Sequence, residues 1–232
     1  MHILLTRPLE DCSEMILKFK SLGHQVSHLP LISIEPVSYS EINFSEYKSI
    51  IFTSANAVKF LNLKNIDKKL LCFCVGNATE KKARGVGFQN VISAEGNVNN
   101  LKELVLQNFD QKDGKLIYVS GELISVDLDQ LLLREGYKID RVVNYKAIQN
   151  QKFDDSFVNH LKLKMPEIVY VYSQNSGMSF LNFIENYQLE KLWMETNLMC
   201  IGEKTSAILN KIKWKKIFLF NSGEEEFLLY KI

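Results

Sequence analysis

Short apolar runs alternate along the chain with longer amphipathic stretches. Ile3–Leu5 predicts a strand. Met15, Ile16 and Phe19 share one face of a helical stretch from about Cys12 to Leu22, and Gly23 stands where a helix ends. Gln25–Leu31 predicts the next strand. The pattern then repeats: strand Ser49–Thr53, helix Ala57–Leu63; strand Leu71–Val75, helix Thr79–Arg84; strand Asn90–Ile92, helix Asn99–Gln107; strand Leu116–Val119, helix Val126–Arg134; strand Ile139–Tyr145. A helix start falls at Asp154-Asp155. Strand Ile168–Tyr172, a helix to about Asn186, strand Leu198–Ile201, a helix from Thr205, strand Lys216–Phe220 and a last helix from about Glu224 complete the series. Strands joined by helical crossovers predict an α/β fold with parallel sheets.

Internal similarity divides the chain. Phe52-Thr53-Ser54-Ala55-Asn56 resembles Val171-Tyr172-Ser173-Gln174-Asn175, and Val75-Gly76-Asn77-Ala78-Thr79 resembles Ile201-Gly202-Glu203-Lys204-Thr205. Leu22-Gly23-His24-Gln25-Val26 resembles Glu135-Gly136-Tyr137-Lys138-Ile139. The N-terminal unit thus matches the end of the middle region, and the C-terminal units match its beginning. The middle, residues 37–143, reads as one complete doubly wound lobe. Residues 1–31 and 149–232 read as a second, discontinuous and circularly permuted copy. The two crossings, 32–36 and 144–148, run in opposite directions and are expected to pair as a two-stranded β-ladder, a hinge between the lobes.

Composition narrows the function. A hydrophobic fraction of 46% and a charged fraction of 24% suit a globular chain. The formal net charge of +1 supplies no field for nucleic acid or an anionic membrane. Only Ile3-Leu4-Leu5 precede the polar Thr6-Arg7-Pro8, too few for a signal-peptide core, and no apolar run reaches membrane-spanning length. A cytoplasmic protein is expected, and nothing in the pattern demands assembly beyond a monomer. Cys12, Cys72, Cys74 and Cys200 read as small apolar residues of a reducing compartment; Cys72 and Cys74 flank Phe73 and point to one face of a strand. No histidine pairs with another ligand at metal spacing, so no metal is expected.

Candidate chemistry lies at the strand ends, where parallel α/β sheets bind ligands. These ends carry Thr6-Arg7-Pro8, Thr53-Ser54-Ala55-Asn56, Gly76-Asn77-Ala78-Thr79, Ser120-Gly121, Ser173-Gln174-Asn175-Ser176-Gly177 and Gly202-Glu203-Lys204-Thr205. Ser, Thr and Asn at such places cap helices; as a set in two lobes they suggest cradles for a polyanion, phosphate or carboxylate. Neither a dinucleotide fingerprint nor a P-loop is present. Asp154-Asp155 and Glu224-Glu225-Glu226 read as helix-start carboxylates, and Lys211–Lys216 as a solvated turn before a strand.

These segments resemble the uroporphyrinogen-III synthase family. Leu4-Leu5-Thr6-Arg7-Pro8, Leu29-Pro30-Leu31, Ile51-Phe52-Thr53-Ser54-Ala55-Asn56-Ala57-Val58 and Val75-Gly76-Asn77-Ala78-Thr79 carry the first half of the likeness. Val142-Val143-Asn144-Tyr145-Lys146, Val171-Tyr172-Ser173-Gln174-Asn175-Ser176-Gly177 and Ile201-Gly202-Glu203-Lys204-Thr205-Ser206 carry the second, in family order. The resemblance implies two α/β lobes joined by a ladder. It implies an enzyme without cofactor that cyclises hydroxymethylbilane, a linear tetrapyrrole with eight carboxylates. Water is lost, and the last pyrrole ring is inverted through a spirocyclic intermediate.

The resemblance also implies roles. Tyr145 stands where the family has a tyrosine proposed to assist hydroxide departure; phenols stay protonated at neutral pH and act as modest general acids. Ser54 and Ser173 match serines that contact substrate carboxylates, and Thr79 and Thr205 match the threonines of the two related turns. Thr6, Arg7, Asn56 and Asn175 belong to the same loops and are expected to bind substrate. Glu203-Lys204 departs from the family's usual Pro followed by Thr or a small residue, and Lys204 reads either as an added carboxylate contact or as a solvated lysine at a helix start. Ser120-Gly121-Glu122 lacks the basic residue many members carry nearby. Two readings of other kinds stand beside the enzyme: a non-catalytic two-lobe binding protein for an anionic small molecule, and a scaffold that keeps the fold alone.

Overall fold

The computed structural model describes residues 1–220 and Glu224. The chain splits into two units, Met1–Ser33 with Ile148–Ile232, and Ile34–Ala147.

The first unit is built on strands β1 (His2–Leu5) and β2 (Gln25–His28), with helix α1 (Leu9–Ser21) between them. The chain then leaves through β3 (Ile32–Pro36). The second unit runs β4 (Tyr47–Phe52), α2 (Ala55–Lys59), β5 (Leu71–Val75), α3 (Asn77–Gly85), β6 (Val91–Ala94), α4 (Val98–Asn108), β7 (Lys115–Gly121), α5 (Leu128–Arg134) and β8 (Lys138–Gln149). The first unit resumes with α6 (Asp155–Leu163), β9 (Ile168–Val171), α7 (Gln174–Asn186), β10 (Asn197–Ile201), α8 (Gly202–Leu209) and β11 (Lys216–Phe220).

The first unit's sheet has the order β11-β10-β9-β1-β2, all pairs parallel. The second sheet has the order β3-β8-β7-β4-β5-β6, and β8-β7-β4-β5-β6 is parallel throughout. Read from β2 to β11, the first sheet repeats the second from β8 to β6, strand for strand. The N-terminal strands β1 and β2 of the first unit correspond to β7 and β8, the last two strands of the second.

Alternation of side chains across each sheet explains why both faces are covered. In the second unit Ile50, Phe52, Cys72, Cys74, Ile117 and Val119 face a core closed by Ala57, Val58 and Ala83 of α2 and α3. Their neighbours Ile51, Phe73, Leu116 and Tyr118 face the opposite core, closed by Leu101, Val105, Leu128 and Leu132 of α4 and α5. In the first unit Leu4, Val169, Val171, Leu198 and Cys200 pack against α6, α7 and α8, and Ile3, Leu5, Ile168, Tyr170 and Met199 against α1. Both units are therefore doubly wound, the fold class expected from the sequence.

The repeated turns have a common geometry. Gly23 and Gly136 follow α1 and α5 at φ +82° and +88°, a conformation costly for any residue with a Cβ. In each turn two hydrogen bonds close a Schellman cap: His24 to Phe19 and Gly23 to Lys20, Tyr137 to Leu132 and Gly136 to Leu133.

Element limits shift where caps decide them. Helix α1 begins at Leu9, with Pro8 just before it in extended conformation, where proline's missing N–H costs no intrahelical bond. Helix α2 ends at Lys59 rather than Leu63, with a turn at Phe60. The Lys211–Lys216 segment is less a solvated turn than expected. Its Trp214 donates Nε1–H to the Leu209 carbonyl at 2.9 Å and packs on Phe180 and Trp193. Beyond Glu224 itself, the expected last helix and the glutamate cluster at its start lie outside the described residues.

Strand β8 does not stop at Tyr145 but runs twelve residues to Gln149. Backbone hydrogen bonds run from Val37 to Asn144 in the second unit and from Asn150 to Leu31 in the first, both 2.9 Å.

Candidate functional site

In the second unit β4 lies beside β7, and the connections from these two strands leave in opposite directions along the sheet. That switch point is where a doubly wound sheet opens a crevice beyond its strand ends. A pocket of about 180 Å³ occupies it. Five of its lining residues bear hydroxyls: Thr53, Ser54, Tyr118, Ser125 and Tyr145. Val98, Leu123, Ile124 and Val126 supply an aliphatic wall, and no charged side chain is among the lining residues.

Ser54 sits here because it caps α2: its Oγ accepts the Asn56 N–H at 3.2 Å. Capping uses an oxygen lone pair and leaves the O–H to donate elsewhere. Asn56 is thereby held at the start of the helix.

Tyr145 reaches the pocket through a break in strand register. Ser120 pairs with Val143 but Gly121 pairs with Tyr145, so Asn144 is an extra residue in β8. Val142 and Tyr145 consequently pack against the same core although three residues apart, which a regular strand forbids. Asn144 is buried and donates Nδ2–H to the Ala57 carbonyl at 2.8 Å. The Tyr145 ring lies 6.4 Å from that of Phe60, at 30°.

Two features escaped the sequence reading. Tyr118, fully buried, has its hydroxyl 3.0 Å from Thr53 Oγ1, and burial pushes its phenol above the ordinary value. Its place on an inward strand position was readable, its hydroxyl partner was not. The 120–122 segment also has a basic partner after all. Arg141, from β8, donates to Ser120 Oγ at 2.9 Å and to the Gly121 and Glu122 carbonyls at 2.9 and 3.0 Å.

Thr79 is the third residue of α3, behind Gly76, and is buried.

In the first unit the corresponding switch point lies between β1 and β9. The Arg7 guanidinium stands 4.8 Å above the Tyr172 ring, and the Arg7 carbonyl is 2.7 Å from His28 Nε2. Ser173 caps α7: its Oγ accepts the Ser176 N–H at 3.1 Å and lies 2.9 Å from the Ser176 hydroxyl. Asn175 Oδ1 accepts from Gln149 Nε2 at 2.8 Å. Lys204 is exposed in the first turn of α8. Thr205 is buried and faces Gly177 of α7. Thr6 is fully buried, and its hydroxyl donates to the Tyr170 carbonyl, tying β1 to β9.

The thiols take no part in these sites. Cys72 and Cys74 bring their sulfurs to 3.7 Å inside the core, on one strand face as the sequence implies. Among the described residues no three His, Cys, Asp or Glu side chains converge in a metal-binding group. No helix among them is long and apolar enough to cross a membrane.

Comparison with known proteins completes the picture. A curated relative, the porphyrin biosynthesis protein HemD of Ruminiclostridium josui, is 27% identical over 229 residues. That match takes in 90% of this chain but 44% of the relative, so the chain spans less than half of that protein's length. The crystal structure of uroporphyrinogen-III synthetase from Helicobacter pylori matches with a TM-score of 0.66 at 18% identity, over 100% of this chain and 99% of that one. A mutant uroporphyrinogen III synthase from Thermus thermophilus matches at 0.57 and 13%, over 100% and 97%. At such identities these structures speak for the fold. The family model for uroporphyrinogen-III synthase HemD matches residues 13–219, and the chain belongs to that family.

Proposed function

We propose that this chain converts hydroxymethylbilane into uroporphyrinogen III, closing the macrocycle with loss of water and inversion of the last pyrrole ring. Family membership supports the reaction, and the observation that carries it to particular residues is Tyr145 in the hydroxyl-lined pocket at the switch point.

The chemistry asks little of the protein in bond breaking. The terminal pyrrole nitrogen pushes its electron pair toward the hydroxymethyl carbon, the C–O bond breaks, and an azafulvene forms. The Tyr145 phenol gives its proton to the departing oxygen, which leaves as water. The substituted carbon of the last ring attacks the azafulvene methylene to give the spirocycle; its older bond to the neighbouring ring's methylene then breaks, and that methylene is captured by the unsubstituted α-carbon of the last ring. The proton finally lost from carbon restores the phenol.

The harder task is orientation, since the free substrate closes without inversion. An uncharged pocket with an aliphatic wall suits a pyrrole ring and its neutral hydroxyl better than a carboxylate. Carboxylates are assigned to the strand-end loops of the two units. Ser54, Asn56, Ser173 and Asn175 offer polar groups, and Arg7 and Lys204 offer positive charge. Thr6, Thr79 and Thr205, all buried, shape those loops from within. The reaction as assigned uses no cofactor. Expression in a bacterium lacking its own uroporphyrinogen-III synthase tests the proposal. Restored growth without added haem is expected; soluble protein with no rescue would contradict it.

A further inference from the structure

None of residues 120–122 lines the pocket, yet this segment fixes Tyr145 from several directions. A Cβ placed on Gly121 would fall 2.7 Å from Cζ, 2.8 Å from Cε2 and 3.0 Å from the hydroxyl of Tyr145. Those are its three nearest atoms, and all belong to one side chain. Gly121 is not in the left-handed region, so alanine suits its backbone. What excludes a side chain is the tyrosine. The Glu122 N–H donates to the Tyr145 carbonyl at 2.9 Å, which fastens the segment to the same residue from the backbone side.

Arg141 closes the arrangement. It lies on β8, four residues before Tyr145, and its three hydrogen bonds hold Ser120, Gly121 and Glu122 against that strand. The guanidinium fork serves two carbonyls and a hydroxyl at once, which a lysine ammonium on a flexible stem does not reproduce. The extra residue at Asn144 turns Tyr145 to the pocket side, Gly121 leaves room for its ring, and Arg141 keeps Gly121 at that distance.

We infer that Gly121 and Arg141 are positioning residues that set where the Tyr145 hydroxyl stands in the pocket. The inference rests on the proposed cyclisation and deepens it. A methyl group at position 121 pushes the ring aside, so the phenol no longer meets the departing oxygen. Loss of the Arg141 fork lets the Gly121 backbone drift and has the same consequence in milder form.

The test is a mutant cycle read by type III formation, product affinity and thermal midpoint. Gly121→Ala should slow type III formation about as much as Tyr145→Phe, up to about a hundredfold, with product affinity little changed. Placed on Tyr145→Ala, the same substitution should add no loss of rate and no fall in midpoint, because the ring it strikes is gone. Tyr145→Leu, which keeps bulk in the core but lacks Cζ and the hydroxyl, serves as a second background. Arg141→Lys should slow the reaction in the wild-type background and have no further effect beside Tyr145→Phe.

Gly121→Ala with an unchanged rate, or with an equal cost in every background, would overturn the inference. Wild-type protein forming no type III product would overturn the proposed function and the catalytic part of this inference together. The thermal cycle would still read the seat of the ring by itself, so the two failures are distinguishable.

Discussion

At the scale of single residues, hydroxyls and one arginine decide more than the carboxylates the composition advertises. In the proposed mechanism Tyr145→Phe removes the proton donor while the pyrrole nitrogen still drives hydroxide departure. A positioned acid contributes about 10²–10⁴-fold, and the lower end or less is expected here, with product binding retained. Isomer-resolved kinetics and product titration check this; equal loss of binding and turnover would make Tyr145 a binding group. Asp140 offers a second test. Burial pushes its carboxyl up, but hydrogen bonds from Lys115 and Tyr47 outweigh that and hold it below the ordinary value. The sign follows: its contribution to stability is present above the ordinary carboxylate value and is lost as pH falls through the lowered one. Tyr47→Phe should raise the Asp140 midpoint in a carboxyl NMR titration, and an unmoved midpoint would show that the phenol contributes nothing. Tyr145 was legible because a family motif carries it. Tyr118 with Thr53, and Arg141 with the 120–122 backbone, were not, since their pairing depends on which strands lie side by side.

Secondary-structure elements show the opposite balance. Periodicity placed nearly every strand, because the inner strands such as β1, β4, β5, β7, β9 and β10 are short apolar runs bounded by polar turns. Limits moved where a cap rather than hydrophobicity sets them, as at Pro8 before α1, or where one strand serves two partners, as β8 does. The five-residue α2 depends on its cap. Ser54→Ala should lower stability by about 1 kcal/mol, measured by denaturant unfolding, besides weakening substrate contact. Ser54→Asp, which also caps, should recover stability but not substrate affinity. The thiols, Cys12 on α1, Cys72 and Cys74 on β5 and Cys200 on β10, are all buried. Burial pushes Cys12 and Cys200 up to about 11, and Cys72, hydrogen-bonded to Cys74 and buried, is pushed well up. At pH 8 a thiol near 11 is about one-thousandth thiolate. A thiol reagent should label the native protein negligibly and all four cysteines after unfolding. Rapid native labelling would contradict the packing of β5 and β10.

For the whole molecule, order along the chain held the most information. Three short internal likenesses, each weak alone, pointed to the same strand order in both sheets, and β2-β1-β9-β10-β11 against β8-β7-β4-β5-β6 has that order. The second unit is continuous and has its own two cores, so residues 32–149 expressed alone should unfold cooperatively on heating. A fragment without a transition would mean that its core depends on the rest of the chain. The pocket could not be read from sequence, because it arises from a strand crossover and a one-residue bulge rather than from any motif. The central claim is that this chain directs ring closure. Fresh hydroxymethylbilane incubated with the purified protein, followed by oxidation and chromatographic separation of the uroporphyrin isomers, tests it most directly. Type III product that rises with protein concentration at the expense of type I is the expected result; type I alone, formed at the protein-free rate, would contradict the account.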